Sequence, residues 1–155
     1  MFGGRDQDSR ATNDLTIFTL KDEPRFAFKA FKPETIGRSP PARYMHSMDF
    51  IPKICMVAIF GGRNDNSVNS PVLDDIWLIG LHNLEYIEVK VAGAIIPTPR
   101  CGHSTYVNGS ELIVCGGIDN NFKYRKDMQF FELNQDQIQK TTPTVESEQL
   151  LSIMI

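Results

Sequence analysis

Short apolar runs, separated by glycine, proline and asparagine, punctuate this chain. "KICMVAIF" at 53–60 and "ELIVC" at 111–115 are brief and rich in apolar and β-branched residues. "DDIWLIGL" at 74–81 and "YIEVKV" at 86–91 alternate apolar with polar or small residues, the period of a strand. Turn residues bound them: Asn108-Gly109, His82-Asn83 and the Pro97–Pro99 segment. No stretch before position 141 keeps a helical period over three turns. The pattern predicts an all-β chain of small antiparallel sheets.

The runs recur in a fixed order. "FGGRDQDS" at 2–9 returns as "FGGRNDNS" at 60–67 and as "CGGIDNNF" at 115–122, so the leading glycines stand 58 and then 55 residues apart. "PPARYMH" at 40–46 returns as "PTPRCGH" at 97–103, and "NDLTIFTL" at 13–20 matches "DDIWLIGL" at 74–81 and "KDMQFFEL" at 126–133. An aromatic segment, "FAFKAFK" at 26–32 or "EYIEVKV" at 85–91, precedes each Pro-Arg element. Each unit is therefore expected to hold about four strands, A to D, and a unit of roughly 50 residues in tandem is the mark of a β-propeller blade.

The residues resemble one family in particular. Gly-Gly after strand B, an aromatic in strand C, an aromatic opening strand D, and Pro-x-Arg-x-x-His leading into strand A look like kelch repeats. The resemblance covers nearly the whole chain and implies a partial kelch-type propeller of four-stranded antiparallel blades. It divides the chain into repeats over 1–140 (a partial blade at 1–39, a full blade at 40–96, a blade with a weak last strand at 97–140) and a tail at 141–155. Where the family has Trp opening strand D, Phe28 and Tyr86 stand here, and Ile138 in the third unit. The lone Trp77 lies in strand C, and Met45 replaces the Gly that Gly102 supplies in the later copy.

Gly3-Gly4, Gly61-Gly62 and Gly116-Gly117 end strand B where chains crowd, and glycine accepts positive φ and close approach there. The Arg43/His46 and Arg100/His103 pairs repeat with the blade. A catalytic pair is needed once, so these read as structural residues tying strand A to neighbouring turns. Trp77, Tyr86 and Phe130-Phe131 are expected to pack between sheets. Cys55 and Cys115 lie in apolar runs and read as small core residues.

In such a sheet the B–C loops and the D–A returns share one side. That side gathers Arg5–Asp8, Arg63-Asn64-Asp65-Asn66, Asp119–Arg125 with Phe122, Lys123, Tyr124 and Arg125, and the returns at Arg38-Ser39 and Ile95-Ile96. Loops on a rigid scaffold are where binding resides, and the resemblance implies that this face meets a protein partner. Phe122, Tyr124 and Arg125 have the chemistry of hot spots.

Composition narrows the function little. The net charge of −3 points to neither nucleic acid nor an anionic membrane. The longest clean apolar run, Ile54–Phe60, is far short of a membrane helix. Three widely spaced cysteines suit neither a disulfide framework nor a zinc site, and reduced thiols fit a cytosolic or nuclear compartment, of which the cytoplasm is the expected one. "DQD" and "NDN" lack the Gly and Glu of a calcium loop, so no metal or cofactor is expected. The reading is a non-catalytic adaptor or scaffold. The alternative is part of a kelch-like propeller enzyme, of the galactose-oxidase or sialic-acid-epimerase type, or a regulatory domain attached to an enzyme. Phe2 is what remains of the first strand B, so the chain is expected to be a fragment whose missing blades come in cis or from self-association. The apolar tail "VESEQLLSIMI" reads either as a short docking helix or as a cover for a blade edge.

Overall fold

A computed structural model describes residues 1–21, 27–67, 71–90 and 97–133. These residues hold eleven strands, one 3-10 turn and no α-helix. The second unit is a four-stranded antiparallel sheet in simple meander order: β5 (Ser47–Ile51), β6 (Met56–Phe60), β7 (Ile76–Gly80) and β8 (Tyr86–Val89). The third unit is a three-stranded antiparallel sheet of β9 (Ser104–Asn108), β10 (Glu111–Cys115) and β11 (Met128–Glu132), with β10 in the middle. Its expected last strand, with Ile138, and the tail at 141–155 lie outside the described residues.

The first unit departs from the expected plan. One extended path, expected as a single strand over 13–20, is broken at Thr16 into β2 (Ala11–Leu15) and β3 (Ile17–Lys21). β2 pairs with β1 (Phe2–Arg5), and β3 pairs with β4 (Ala27–Phe31). The break falls where the partner changes: the Met1 ammonium donates to the Thr16 carbonyl at 2.9 Å, and the Thr16 N–H donates back to Met1 O at 2.8 Å.

Register explains the faces. In β7, Ile76 and Leu78 point one way, opposite Phe60 and Ala58 of β6, while Trp77 and Ile79 point the other way, opposite Ile59 and Val57. The first set joins Ile51, Ile87 and Val89 and packs on Leu112, Val114, Phe131 and Leu133 of the third unit. The second set joins Tyr86 and packs on Phe2 and Leu15 of the first. Every β7 residue is thus buried, because this sheet has a neighbour on both faces. Burial of these aliphatic and aromatic side chains is the main stabilising term, about 25 cal/mol per Å² of apolar surface.

Four local expectations are corrected. Strand B of the second unit begins at Met56 and not at Lys53, because Pro52–Ile54 form a 3-10 turn closed by Cys55 in the left-handed region, at φ 53°. That places Cys55 at a half-exposed turn. Cys115, which ends β10 on its outer face, is also half-exposed, and the buried thiol is Cys101. Phe130 is 46% exposed, since neighbours in a strand alternate and Phe131 takes the inward side. In the first unit Ala30 stands opposite Phe18 as Tyr86 stands opposite Ile79, so Ala30 is Tyr86's counterpart and Phe28, 76% exposed, lies two residues further out.

Candidate functional site: a face of linked loops

Each unit turns its B–C loop with the same device. The residue three places after the first glycine of the pair is Asp6, Asn64 or Asp119. Its Oδ1 accepts backbone N–H groups two residues on, from Asp8 at 3.0 Å, Asn66 at 3.1 Å and Asn121 at 2.9 Å. Asp6 and Asp119 also accept from the residue four on, Arg10 and Lys123. These side-chain turns replace backbone hydrogen bonds that a free loop leaves to water. The recurrence at a constant offset from Gly-Gly was visible in the sequence.

Beneath the loops lie two Arg–Asp clamps. Arg43, fully buried, donates to both Asp75 oxygens at 2.6 and 2.7 Å and to Gly61 O at 2.9 Å. Arg100, equally buried, donates to Asp127 at 2.9 Å and to Gly116 O at 2.9 Å. Each arginine ties the entry of strand A to the glycine turn and to the start of strand C within its own unit. The histidine of each motif does something else. His46 packs edge-on to Phe2 at 5.9 Å, and His103 to Phe60 at 5.0 Å, each reaching the preceding unit. His103 Nε2 also lies 3.1 Å from Ser47 Oγ. Burial, with the nearby Arg43 or Arg100, lowers both imidazoles to about 4. They are neutral wedges between sheets at neutral pH.

The glycine turns meet the same interfaces. Gly61 has φ 59°, and a Cβ there would stand 2.7 Å from the Arg100 carbonyl of the next unit. At Gly3 the corresponding contact is 2.4 Å, with the Arg43 carbonyl. Only glycine fits this approach.

Above the clamps a polar chain crosses the units. Arg5 of the first unit donates to the Tyr44 hydroxyl at 2.6 Å and to Asp65 at 2.7 Å, and its guanidinium lies 4.0 Å from the Tyr44 ring centre. Tyr44 donates to the same Asp65 oxygen at 2.5 Å, and Arg63 donates to the other at 2.5 Å. The Arg63 guanidinium in turn lies 5.6 Å from the Phe122 ring centre in the third unit. The Tyr44 hydrogen bond, then Arg63, holds the Asp65 carboxyl below its ordinary value. Desolvation, then Asp65, raises the Tyr44 hydroxyl. Two further links cross units: Asn66 Nδ2 to Ala11 O at 3.3 Å, and the Val72 N–H to Asn120 Oδ1 at 3.0 Å.

The expected surface residues therefore divide. Arg63, Asn64, Asp65 and Asn66 are engaged within and between the loops. Arg125 is held by Asp127 at 3.2 Å and Asp119 at 3.8 Å. Arg125 and then Arg100 hold Asp127 well below the usual carboxylate range. Phe122, 72% exposed, Tyr124, 74% exposed, and Lys123 project from the loop. Arg38 is exposed, and Ser39 accepts from Asn13 at 3.3 Å. Ile95-Ile96 lie outside the described residues. Tyr44, the hub of the polar chain, had no signal of its own, since Cys101 stands at its place in the next motif.

Among the described residues no group of three or more His, Cys, Asp or Glu could hold a metal ion, and no helix is long and apolar enough to cross a membrane.

Comparison with known proteins meets this geometry. The KLHDC2/KLHL20/DRC7 Kelch-repeats domain matches residues 1–150. The chain belongs to the kelch-repeat family. Its curated relatives include the Rho GTPase-activating protein gacHH of Dictyostelium discoideum, 34% identical over 118 residues, which are 70% of this chain and 7% of that protein. Tip elongation aberrant protein 1 of Schizosaccharomyces pombe is 27% identical over 134 residues, 86% of this chain and 11% of the relative. A kelch repeat-containing protein of Arthroderma benhamiae is 24% identical over 120 residues, 74% of this chain and 17% of the relative. The kelch chain thus spans less than a fifth of the length of each. Family membership supports a protein-interaction module.

Proposed function

We propose that this kelch segment is a non-catalytic adaptor or scaffold, acting in the cytoplasm, which holds a protein partner on its B–C loop face. The observation that carries the reading is the division of labour on that face. Arg5, Tyr44, Asp65 and Arg63 lock the loops of the first two units together and reach Phe122 of the third, while the Phe122, Lys123 and Tyr124 side chains stand out from the locked frame. A rigid frame with exposed aromatic and cationic groups suits binding, because little entropy is lost when it meets a partner. The repeated Arg and His side chains are spent on the fold, which favours a non-catalytic role.

The test is affinity capture with the protein carrying Phe122→Ala and Tyr124→Ala against the unaltered protein, each first shown to melt alike. Loss of specific captured proteins supports the reading. Full capture by the double variant overturns the assignment of this face and turns attention to the opposite turns, around Asn108-Gly109 and His82-Asn83.

A further inference from the structure

We propose that Asn108, at the exposed hairpin of the third unit, is a modification site, where the side-chain amide is hydrolysed without an enzyme to aspartate and isoaspartate. The chemistry is intramolecular. The backbone nitrogen of the following residue gives up its proton to hydroxide and attacks the asparagine Cγ. Ammonia leaves and a five-membered imide forms, which water then opens. Breaking the new N–Cγ bond gives aspartate. Breaking the original peptide bond gives isoaspartate, whose main chain runs through Cβ and Cγ and is one carbon longer. In sum one water is consumed and one ammonia released.

The hairpin leaves this path open. Asn-Gly occurs once in the chain, at 108 and 109. A side chain on the following residue crowds the attacking nitrogen; Gly109 has none, and even a Cβ placed there would meet nothing within 4 Å. β9 ends at Asn108 and β10 begins at Glu111, so the loop is two residues long, with Gly109 first at φ 65° as a type II′ turn requires. Both Asn108 and Gly109 are exposed, and the Gly109 N–H donates to no group among the described residues.

The other asparagines are restrained. Nδ2 of Asn13, Asn66 and Asn83 donates to Ser39, Ala11 and Glu85. Oδ1 of Asn64, Asn83 and Asn120 accepts from the N–H groups of Asn66, Glu85 and Val72. The Asn108 amide makes no such bond among the described residues. Asn121 is likewise unheld, but the bulky Phe122 follows it.

Register says what the new charge meets. Asn108 stands opposite Glu111, and Glu111 stands opposite Glu132, so the three share one rung and one face. Neither glutamate has an ion-pair partner among the described residues. Ser110 donates to Glu132, and Lys53 of the second unit reaches that hydroxyl at 3.4 Å. Asn108 is the neutral member of the rung. Conversion puts a third carboxylate there, and like charges directly opposite repel. The isoaspartate form also lengthens the chain where β9 turns into β10, against the pairing register.

The experiment incubates the full chain at pH 8, folded and in parallel unfolded in urea, and maps its peptides by mass over time. Trp77 fluorescence shows that the folded sample stays folded. In that sample the peptide holding Asn108 should gain the mass of an amide-to-acid exchange at least about tenfold faster than those holding Asn64 or Asn83. Labelling by an isoaspartyl methyltransferase should mark the same peptide. Asn108→Asp, the product, should melt below the parent, and Glu111→Gln in that background should recover part of the loss. Conversion of Asn108 in urea but not in the folded chain means that the turn protects it, and overturns the proposal. So does earlier conversion at any other described asparagine. An Asn108→Asp chain that melts with the parent overturns the charge coupling in the rung.

Discussion

Arg43 reaches Asp75 with two hydrogen bonds of 2.6 and 2.7 Å, its side chain wholly removed from solvent. The planar fork of the guanidinium matches the carboxylate, and Gly61 O takes a third hydrogen bond. This clamp sets where strand A enters relative to strand C, and so fixes the loop face above it. Arg43→Ala should lower stability by about 2–4 kcal/mol, because it strips the Gly61 carbonyl of its guanidinium partner and leaves the partly buried Asp75 with only the Trp77 Nε1 hydrogen bond at 2.7 Å. Urea unfolding followed by Trp77 fluorescence measures it, and a loss under about 1 kcal/mol would contradict a clamp of this kind.

Gly61→Ala and Gly116→Ala should differ although both glycines hold positive φ. The backbone strain is shared, of order 1–2 kcal/mol. The added Cβ meets a carbonyl at 2.7 Å in the first case and at 3.6 Å in the second. Gly61→Ala is expected to be the more damaging by at least about 1 kcal/mol. Equal melting losses for the two variants would remove the crowding argument.

Acid should weaken the fold before most carboxylates titrate. His46 and His103 sit near 4 in the folded chain, against 6.5 when free. Unfolding therefore takes up protons between those values, and stability falls as pH drops from 6.5 towards 4. Each histidine adds a slope of up to about 1.4 kcal/mol per pH unit in that window. Denaturation midpoints from pH 7 to pH 4 read this directly, and His103→Phe should flatten the curve. A flat profile between pH 6.5 and 4.5 in the unaltered chain would rule out neutral buried wedges.

Thiol labelling should be ordered. Cys101 is buried and its thiol is pushed up by burial, while Cys55 and Cys115 are half-exposed. The thiolate is the reactive form, so under native conditions at pH 8 Cys101 should be alkylated last. Peptide mass mapping over a time course decides it, and early modification of Cys101 would place that motif at the surface.

Tyr44→Phe removes the hydroxyl shared by Arg5 and Asp65 but keeps the ring beneath the guanidinium. Arg5 and Asp65 also pair directly at 2.7 Å with both side chains partly exposed, so the stability cost should stay within about 1 kcal/mol. Its effect should appear in the partner captured by the loop face. A cost above about 2 kcal/mol would make Tyr44 a core residue and not a loop tie.

The repeat and the β class were legible in the residues alone, as were the bounds of β10 at Glu111–Cys115. Gly-Gly, Pro-x-x-Arg-x-x-His and the acidic opening of strand C recur because the units solve the same local problems: a left-handed turn, a buried cation and its counter-ion. The alternation in "DDIWLIGL" also marks a two-faced strand. Which carboxylate each arginine meets came from the folded arrangement, since Arg43 and Asp75 are 32 residues apart. It also decided that the histidines turn to the preceding unit, and that Arg63 and Asp65 are committed to the frame while Phe122 and Tyr124 remain exposed. It set the first unit's register, where Ala30 and not Phe28 takes Tyr86's place, because a slip of two residues leaves the apolar alternation unchanged. Local pattern is written in neighbouring residues, whereas pairing between units depends on which side chains packing brings within hydrogen-bond reach, and no spacing in the chain records that distance.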